Sequence, residues 1–252
     1  MPVTLTVVDL DWPSSEIAGS EAVNSTAVDR VMIGLSADPY LLTDAARTIS
    51  DAMAFNLTEA DTVDHRFVQV ASIADTVELC RRRVACRPST SAVLLDVLRS
   101  FDHHGDVETG LVTESLAYST LQAGPEFQAW LSSQKPRRRH ILEDSVRLAR
   151  HDDRLEIMFD RPDMHNAFSD LLRAGLLAGL EVAIADPTIT GVRLRGNGPS
   201  FCSGGDLGEF GLFTDPALSH LARRSHSPAK LLEILRTRLG SSLGADVHGA
   251  VI

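Results

Sequence analysis

The pattern of apolar and polar positions over the first seventy residues predicts a small α/β unit. Residues 4–10, 30–36 and 66–72 are rich in apolar and β-branched side chains, which is typical of strands. Residues 41–53 carry apolar side chains at roughly helical spacing, and the Thr43-Asp44 pair near their start is typical of a helix N-terminus. The alternative is an edge sheet that packs against the domain that follows.

The pattern becomes helical between residues 72 and 131. It predicts helices at 75–85 and 90–101, and one or two helices over 111–131 with a break at Gly124-Pro125. Residues 132–139 (SSQKPRRR) are polar, basic and interrupted by proline, which is the composition of a linker. We therefore predict an N-terminal extension over residues 1–139 and a second domain over residues 140–252.

Beyond the linker, the spacing of apolar positions predicts two strands, a helix and a third strand. These are strands at 145–150 and 155–159, a helix from Asn166 or Ser169 to Ala185, and a strand at 189–195. The first two strands form a hairpin, and the crossover helix makes its two flanking strands parallel. The predicted fold class is therefore α/β.

Composition excludes several classes of function. The 252-residue chain has a formal net charge of −10, which argues against nucleic acid as a partner because a phosphate backbone requires a basic face. Apolar runs stay well short of the roughly 20 residues that cross a bilayer, and the N-terminus has no basic region before its apolar stretch. We expect a cytoplasmic protein with no membrane partner. Neither the cysteine spacing nor the His103-His104 pair, a predicted loop, indicates a metal site.

The segment GNGPSFCSGGDLGEFG, residues 196–211, is the best candidate for chemistry. Its glycines permit positive φ and the close approach of a ligand to the backbone. Backbone N–H groups freed there, especially where a helix is predicted to begin at Asp206, can face an anion or a developing oxyanion. The segment is neither a dinucleotide fingerprint nor a P-loop, because the third glycine of the former and the GK[ST] of the latter are absent. A purely structural glycine turn is the alternative.

The order of these motifs resembles the crotonase superfamily, the enoyl-CoA hydratase/isomerase family. RPDMHNAF (161–168), a helix, and DPTITGVRLRGNGPSFCSGGDLGEF (186–210) follow the family pattern of RPxxxNAL, a helix, a strand ending in glycine, and FCAGxDL. The resemblance covers residues 147–252. It implies crotonase-like ββα units, here a partial spiral core, preceded by a smaller α/β or mostly helical N-terminal region.

The resemblance implies a protein of fatty acid metabolism, a lyase or isomerase, that binds an acyl-CoA thioester and stabilises its enolate through a backbone oxyanion hole. By position, the first oxyanion donor is the backbone N–H of Gly205. The family's acyl-CoA contacts fall on Asp163, Met164, His165 and Ala167 of the first motif and on Ser203, Gly205, Asp206 and Leu207 of the second. We expect Asp206 to orient the turn rather than to abstract a proton. Coenzyme A is part of the substrate, so neither a separate cofactor nor a metal is expected.

The resemblance leaves the reaction and the partners open. ADVHGAVI (245–252) matches the opening of the family's second glycine-rich segment, so the second oxyanion donor, the catalytic glutamates and the trimerising helices are expected after Ile252. Gly208 stands where many hydratases carry a basic residue for the CoA phosphates, and His165 stands where an apolar or basic residue is usual. Expected partners are an acyl-CoA and either further copies of the chain, as in the family's trimers, or a complementing C-terminal half.

Two alternative functions follow from the same residues. One is a non-catalytic or split crotonase fragment that needs a partner. The other is an N-terminally extended crotonase that acts on an aryl-acetyl-CoA, including the oxygenase type.

Overall fold

The computed structural model describes residues 3–12, 30–100, 106–135 and 145–252, which divide into two compact units, the first ending at His103 and the second beginning at His104. Each unit contains a four-stranded sheet with parallel pairs and helices, so the predicted α/β fold class is confirmed. The predicted loop at His103-His104 and residues 136–139 of the predicted linker lie outside the described residues, whereas Ser132 and Ser133 of that linker are the last residues of a helix. The proposed domain boundary near residue 140 therefore stays a prediction.

The first unit is a parallel sheet with helices. Its elements are β1 (Thr4–Asp9), β2 (Arg30–Leu35), α1 (Asp44–Asp51), β3 (Phe55–Thr58), β4 (Phe67–Gln69), α2 (Ile73–Cys86) and α3 (Pro88–Ser100). The strands lie in the order β1-β2-β3-β4, and each neighbouring pair is parallel. Apolar side chains of this sheet are buried in two clusters, one that includes Met32 with Ala46 of α1, and one that joins Val31 to Val84 and Leu95 of α2 and α3.

The predicted strands and helices of this unit are present, but strand β3 is not among the predictions. Its sequence, FNLT, carries a polar residue in a buried position, which interrupts the apolar run that indicates a strand. The amide nitrogen of Asn56 is held by tertiary contacts, since Nδ2 donates to the carbonyl oxygens of Ser50 (3.1 Å) and Arg66 (3.0 Å), whereas the buried Oδ1 has no hydrogen-bond partner within the described residues. These contacts come from the fold and are not visible in a local pattern.

The second unit contains the predicted ββα unit. Its elements are α4 (Val107–Ala123), α5 (Pro125–Ser133), β5 (Val146–His151), β6 (Arg154–Phe159), α6 (Asp170–Ala185), β7 (Gly191–Gly196), α7 (Pro216–Ser225), α8 (Pro228–Leu239) and β8 (Leu243–Asp246). The predicted break at Gly124-Pro125 separates α4 from α5. β5 and β6 form the predicted antiparallel hairpin, and β6, β7 and β8 pair in parallel.

Helix α6 is the crossover that fixes the position of the candidate site. Ser169 is its N-cap, and the Ser169 hydroxyl accepts the N–H of Leu172 at 3.2 Å, which satisfies one of the free donors of the first turn. Leu172 and Leu180 are completely buried against Ile157 of β6. Burying each such side chain contributes about 1.5–3 kcal/mol, so the helix start is held firmly beside the carboxyl end of the sheet.

Candidate functional site

The two motifs of the sequence lie side by side in the second unit. The N–H of Phe168 donates to the carbonyl oxygen of Gly204 at 2.8 Å, and the N–H of Asp206 donates to the carbonyl oxygen of Phe168 at 3.1 Å. The N–H of Ser203 reaches the carbonyl oxygen of His165 at 3.0 Å. These bonds align residues 165–168 with residues 203–206, so the structure brings the two predicted segments together.

A buried ion pair fixes the turn between Ser203 and Gly208. The side chains of Arg161 and Asp206 are 1% and 8% exposed, and Arg161 Nη2 lies 2.9 Å from Asp206 Oδ2. Arg161 Nη1 also donates to the carbonyl oxygen of Ala167 at 2.6 Å, and Asp206 Oδ1 accepts the N–H of Gly208 at 2.9 Å. Asp206 therefore orients the turn, as the sequence predicts.

The prediction that a helix begins at Asp206 is wrong. Turns follow Asp206, and the next helix, α7, begins at Pro216. Gly204 and Gly211 adopt positive φ (88° and 83°), and glycine is a poor helix former. The Asp206 carboxylate thus caps a single turn, in which the N–H of Glu209 donates to the Asp206 carbonyl oxygen at 2.9 Å.

Asn166 joins the first motif to the start of the glycine-rich segment. It is fully buried, and its backbone lies in the left-handed region with φ of 53°, which asparagine tolerates better than most residues. Its Oδ1 accepts the N–H of Arg161 at 2.8 Å, and its Nδ2 donates to the carbonyl oxygens of Asn197 (2.9 Å) and Ser200 (2.7 Å). The sequence pattern offers Asn166 as one of two candidate N-caps of α6, but Ser169 is the N-cap, and the tertiary contacts of Asn166 and Arg161 were not predicted although both are fixed letters of the RPxxxNA pattern.

The backbone N–H of Gly205 is free within the described part of the chain. The two neighbouring residues form the hydrogen bonds to Phe168, Gly204 through its carbonyl oxygen and Asp206 through its N–H. The N–H of Gly205, which lies between them, therefore faces away from Phe168. A Cβ added at Gly205 would stand 3.1 Å from the ring of Phe210. That ring packs against Phe127 and Trp130 of α5, with ring centres 6.4 and 5.9 Å away. Gly205 therefore presents its backbone beside a fixed aromatic wall.

Gly205 lines a cavity of about 450 Å³ within the second unit. This volume is in the range of small-molecule sites. The walls come from the glycine-rich turn, the start of α6, helix α4 and helix α7. The apolar lining is largely aromatic and aliphatic: Leu111, Tyr118, Phe168, Phe210, Phe213, Ala222 and Pro228.

Most of the charged side chains that line the cavity are paired with one another. Glu108 of α4 contacts Arg224 at 2.8 Å and Lys230 at 3.2 Å, and the hydrogen bond from Arg224 lowers the pKa of that carboxyl. Arg173 pairs with Asp170 in the first turn of α6. Glu209 accepts the N–H of Asp170 at 2.9 Å, so its carboxylate sits at the α6 N-terminus.

Arg223 of α7 has neutral partners instead. Its Nε and Nη2 donate to the hydroxyl and the carbonyl oxygen of Ser115, each at 3.1 Å, and Nη2 also donates to the hydroxyl of Ser119. The guanidinium carbon lies 4.9 Å from the centre of the Tyr118 ring. Burial lowers the pKa of Arg223 and raises the pKa of Tyr118. The contacts join α4 to α7 across the cavity wall.

The remaining residues assigned by the resemblance lie beside the turn and outside the cavity lining. Asp163, His165 and Leu207 are exposed, and Ala167 is buried. The N–H groups of five of these residues are used inside the chain: Met164, His165, Ala167, Ser203 and Asp206 donate to the carbonyl oxygens of Arg161, Pro162, Met164, His165 and Phe168. The assignment of these residues to acyl-CoA binding stays a prediction.

Among the residues that the structure describes, no group of three or more His, Cys, Asp or Glu side chains is arranged to hold a metal ion.

Within the described ranges, none of the helices combines the length and the apolar character that spanning a bilayer requires.

The fold and the site define an α/β protein with a glycine-rich turn at a cavity. Residues 153–226 match the family model for enoyl-CoA hydratase/isomerase, which confirms over that segment the resemblance to the crotonase superfamily. The matched segment contains the Arg161–Asp206 pair, Asn166 and the turn around Gly205. No curated protein sequence matches the chain significantly.

Solved structures of mycobacterial proteins are similar over part of the chain. An enoyl-CoA hydratase/isomerase from Mycobacterium paratuberculosis is 29% identical over 27% of this chain and 26% of its own, with a TM-score of 0.26. A carnitinyl-CoA dehydratase from Mycobacterium avium 104 is 32% identical over 26% of each chain, with a TM-score of 0.25. A probable enoyl-CoA hydratase from Mycobacterium smegmatis is 25% identical over 42% of this chain and 41% of its own, with a TM-score of 0.34. The matched part of this chain spans about a quarter of the length of the first of these proteins.

Proposed function

We propose that this protein binds an acyl-CoA thioester, with its acyl group in the cavity and its thioester carbonyl oxygen at the N–H of Gly205. One observation carries the proposal: the Gly205 N–H makes no hydrogen bond within the described residues and lies on the wall of a largely apolar cavity. The family match over residues 153–226 supports the same ligand class, since an enoyl-CoA hydratase/isomerase acts on a CoA thioester.

The chemistry that follows is stabilisation of an enolate. Loss of a proton from the carbon next to the thioester carbonyl places negative charge on the carbonyl oxygen. A backbone N–H that already points at this oxygen stabilises the charge without reorganisation, and one such donor is worth about 3–4 kcal/mol in an enzyme. The Arg161–Asp206 pair holds the turn rigid, which keeps the donor in position.

A calorimetric titration with two ligands tests the proposal. Hexanoyl-CoA contains the thioester carbonyl, whereas S-hexyl-CoA has a chain of the same length and no carbonyl. A neutral hydrogen bond contributes about 0.5–1.5 kcal/mol, so we expect hexanoyl-CoA to bind about two- to twelvefold more tightly. The Gly205→Pro variant removes the N–H and should bind the two ligands equally. The Gly205→Ala variant keeps the N–H and should retain the preference, with a small shift of the Phe210 ring to make room for the added methyl group.

The outcomes separate the parts of the proposal. If the folded wild-type chain binds neither ligand, acyl-CoA binding is refuted. If it binds both equally, the role of Gly205 is refuted. Hydration of crotonyl-CoA, followed by the loss of its enoyl absorbance, distinguishes an enzyme from a binding protein. Binding without turnover would favour the non-catalytic alternative.

Aromatic side chains favour an aryl-acetyl thioester as a second candidate ligand. Tyr118, Phe168, Phe210 and Phe213 all line the cavity, and aromatic rings attract one another by about 0.5–1.5 kcal/mol beyond area burial. Tighter binding of phenylacetyl-CoA than of hexanoyl-CoA in the same titration would support this candidate.

A further inference from the structure

We infer that the acyl group bound in the cavity carries a carboxylate at its far end, and that Arg223 binds this carboxylate. The inference rests on the proposed function, because it concerns the cavity that Gly205 lines. It identifies the ligand as a monothioester of a dicarboxylic acid rather than a simple fatty acyl thioester.

The first argument is the pairing of charges in the cavity. Arg224 and Lys230 share Glu108, and Arg173 contacts Asp170. No carboxylate within the described ranges lies within ion-pair distance of Arg223. Arg223 is thus the arginine or lysine of this cavity lining that has no carboxylate in ion-pair contact within the described ranges.

The second argument is the geometry of the guanidinium group. Ser115 and Ser119 hold Nε and Nη2, and the guanidinium carbon lies over the Tyr118 ring. Nη1 makes no hydrogen bond to the part of the chain that the structure describes. Arginine binds carboxylates through parallel N–H donors, and a guanidinium that is already oriented loses little entropy when it does so.

The third argument is the cost of the site without a ligand. Arg223 is partly buried, and burial lowers its pKa, which means that the charge is incompletely solvated. A half-buried charge without an anionic partner is unfavourable, and an incoming carboxylate removes that cost. Glu114, whose charge also acts on Arg223, is exposed, and the Glu209 carboxylate is engaged at the start of α6.

The test compares hexanoyl-CoA with adipoyl-CoA by calorimetry on the full chain. Both ligands have six acyl carbons and the same CoA phosphates, so the difference between them reports the terminal carboxylate alone. Hydrogen bonds between charged groups contribute enough for about a tenfold to hundredfold preference for adipoyl-CoA in the wild type. The Arg223→Gln variant should lose this preference and bind the two thioesters equally. Arg224→Gln is the matched control, because it removes the same charge from the adjacent residue, whose guanidinium already has an ion-pair contact with Glu108.

Each outcome decides the inference. Equal or weaker binding of adipoyl-CoA by the wild type overturns it and leaves the proposed function standing. A preference that survives in Arg223→Gln also overturns it, and it would then leave Arg223 the role of joining α4 to α7. Binding of neither thioester overturns the proposed function and this inference together. If Arg223→Gln fails to fold, the comparison of Arg223→Lys with the wild type still decides. Lysine keeps the positive charge but cannot offer two parallel N–H donors. The lysine variant should therefore show a reduced preference for adipoyl-CoA over hexanoyl-CoA.

Discussion

Replacement of Asp206 by asparagine tests the contact that orients the candidate oxyanion turn. In the wild type, the N–H of Gly208 donates to Asp206 Oδ1 at 2.9 Å. Asparagine has the same shape as aspartate and keeps an oxygen that can accept this N–H. It removes the negative charge that faces Arg161, whose side chain is 1% exposed. Breaking a buried ion pair by removal of one partner costs about 3–5 kcal/mol, because the remaining buried charge loses a charged partner. If the asparagine oxygen keeps the Gly208 N–H, its NH2 group takes the place of Oδ2 and turns a donor towards the Arg161 donors, so we expect a cost within the full range of about 3–5 kcal/mol.

The assay is urea denaturation followed by tryptophan fluorescence. The chain has two tryptophans, and Trp130 lies in the second unit, where its ring packs 5.9 Å from that of Phe210 in the turn. A Trp12→Phe background removes the other signal, so the transition reports the unit that contains the ion pair. The free energy of unfolding extrapolated to water gives the effect of Asp206→Asn directly.

A double-mutant cycle with Arg161→Met decides whether the pair itself carries the effect. Without the buried cation, the Asp206→Asn change should cost no more than about 1 kcal/mol, the value of an ordinary hydrogen bond. If Asp206→Asn costs less than about 1 kcal/mol in the wild-type background, or the same amount in both backgrounds, the ion pair does not hold the turn and the argument for a rigid Gly205 donor fails.

Two further predictions concern a close backbone approach and a depressed pKa. Gly249 has φ of 60° and a Cβ there would stand 2.1 Å from the carbonyl oxygen of Pro199, whereas Gly240 has φ of 52° and no atom within 4 Å of its added Cβ. Urea denaturation should therefore show Gly249→Ala to be less stable than Gly240→Ala by about 1–3 kcal/mol, and equal losses would show that the approach is unimportant. In the first unit, the hydrogen bond from Arg66 lowers the pKa of Asp64 from 3.8 to about 2. The folded state binds the Asp64 proton less readily than the unfolded state, so this contribution to stability is present above pH 3.8 and is lost as the pH falls towards about 2. Hydrogen exchange of β3 and β4 at pH 5 and pH 2.5 measures it, and an Asp64→Asn variant with the same pH dependence as the wild type would contradict it.

The local patterns predicted most of the second unit because its sequence agrees with its structure at each level. The apolar spacing of α6 matches its buried face, Ser169 caps it, and Gly124-Pro125 ends α4. The strands β6 and β7 are short apolar runs whose parallel pairing follows from the crossover. The glycine-rich turn was identified by its composition, but its conformation was not, because Asp206 resembles a helix start and is in fact satisfied by Arg161, which lies 45 residues away.

Long-range contacts explain what the sequence did not predict. Strand β3 is buried through Asn56, whose partners are backbone carbonyls from two other segments. The cavity is another case, since α4 meets α7 through Ser115 and Ser119, small polar residues that read locally as helix surface. No periodicity in α4 indicates that these two serines are buried or that an arginine more than a hundred residues later binds them.

The two sides of the cavity therefore carry different parts of the proposed function. The turn with the Gly205 N–H lies within the segment that matches the enoyl-CoA hydratase/isomerase family, and it offers the carbonyl oxygen of any acyl-CoA the same backbone donor. Helix α4 lies outside that segment, and its side chains Leu111, Ser115 and Tyr118 line the opposite wall and orient Arg223. A backbone donor cannot distinguish one acyl chain from another, because it contacts only the group that all thioesters share. Selection among acyl groups must then come from the side chains that line the cavity, including those of α4 and Arg223 of α7, so changes in these side chains should alter which thioester binds, while loss of the Gly205 N–H should weaken the binding of all of them.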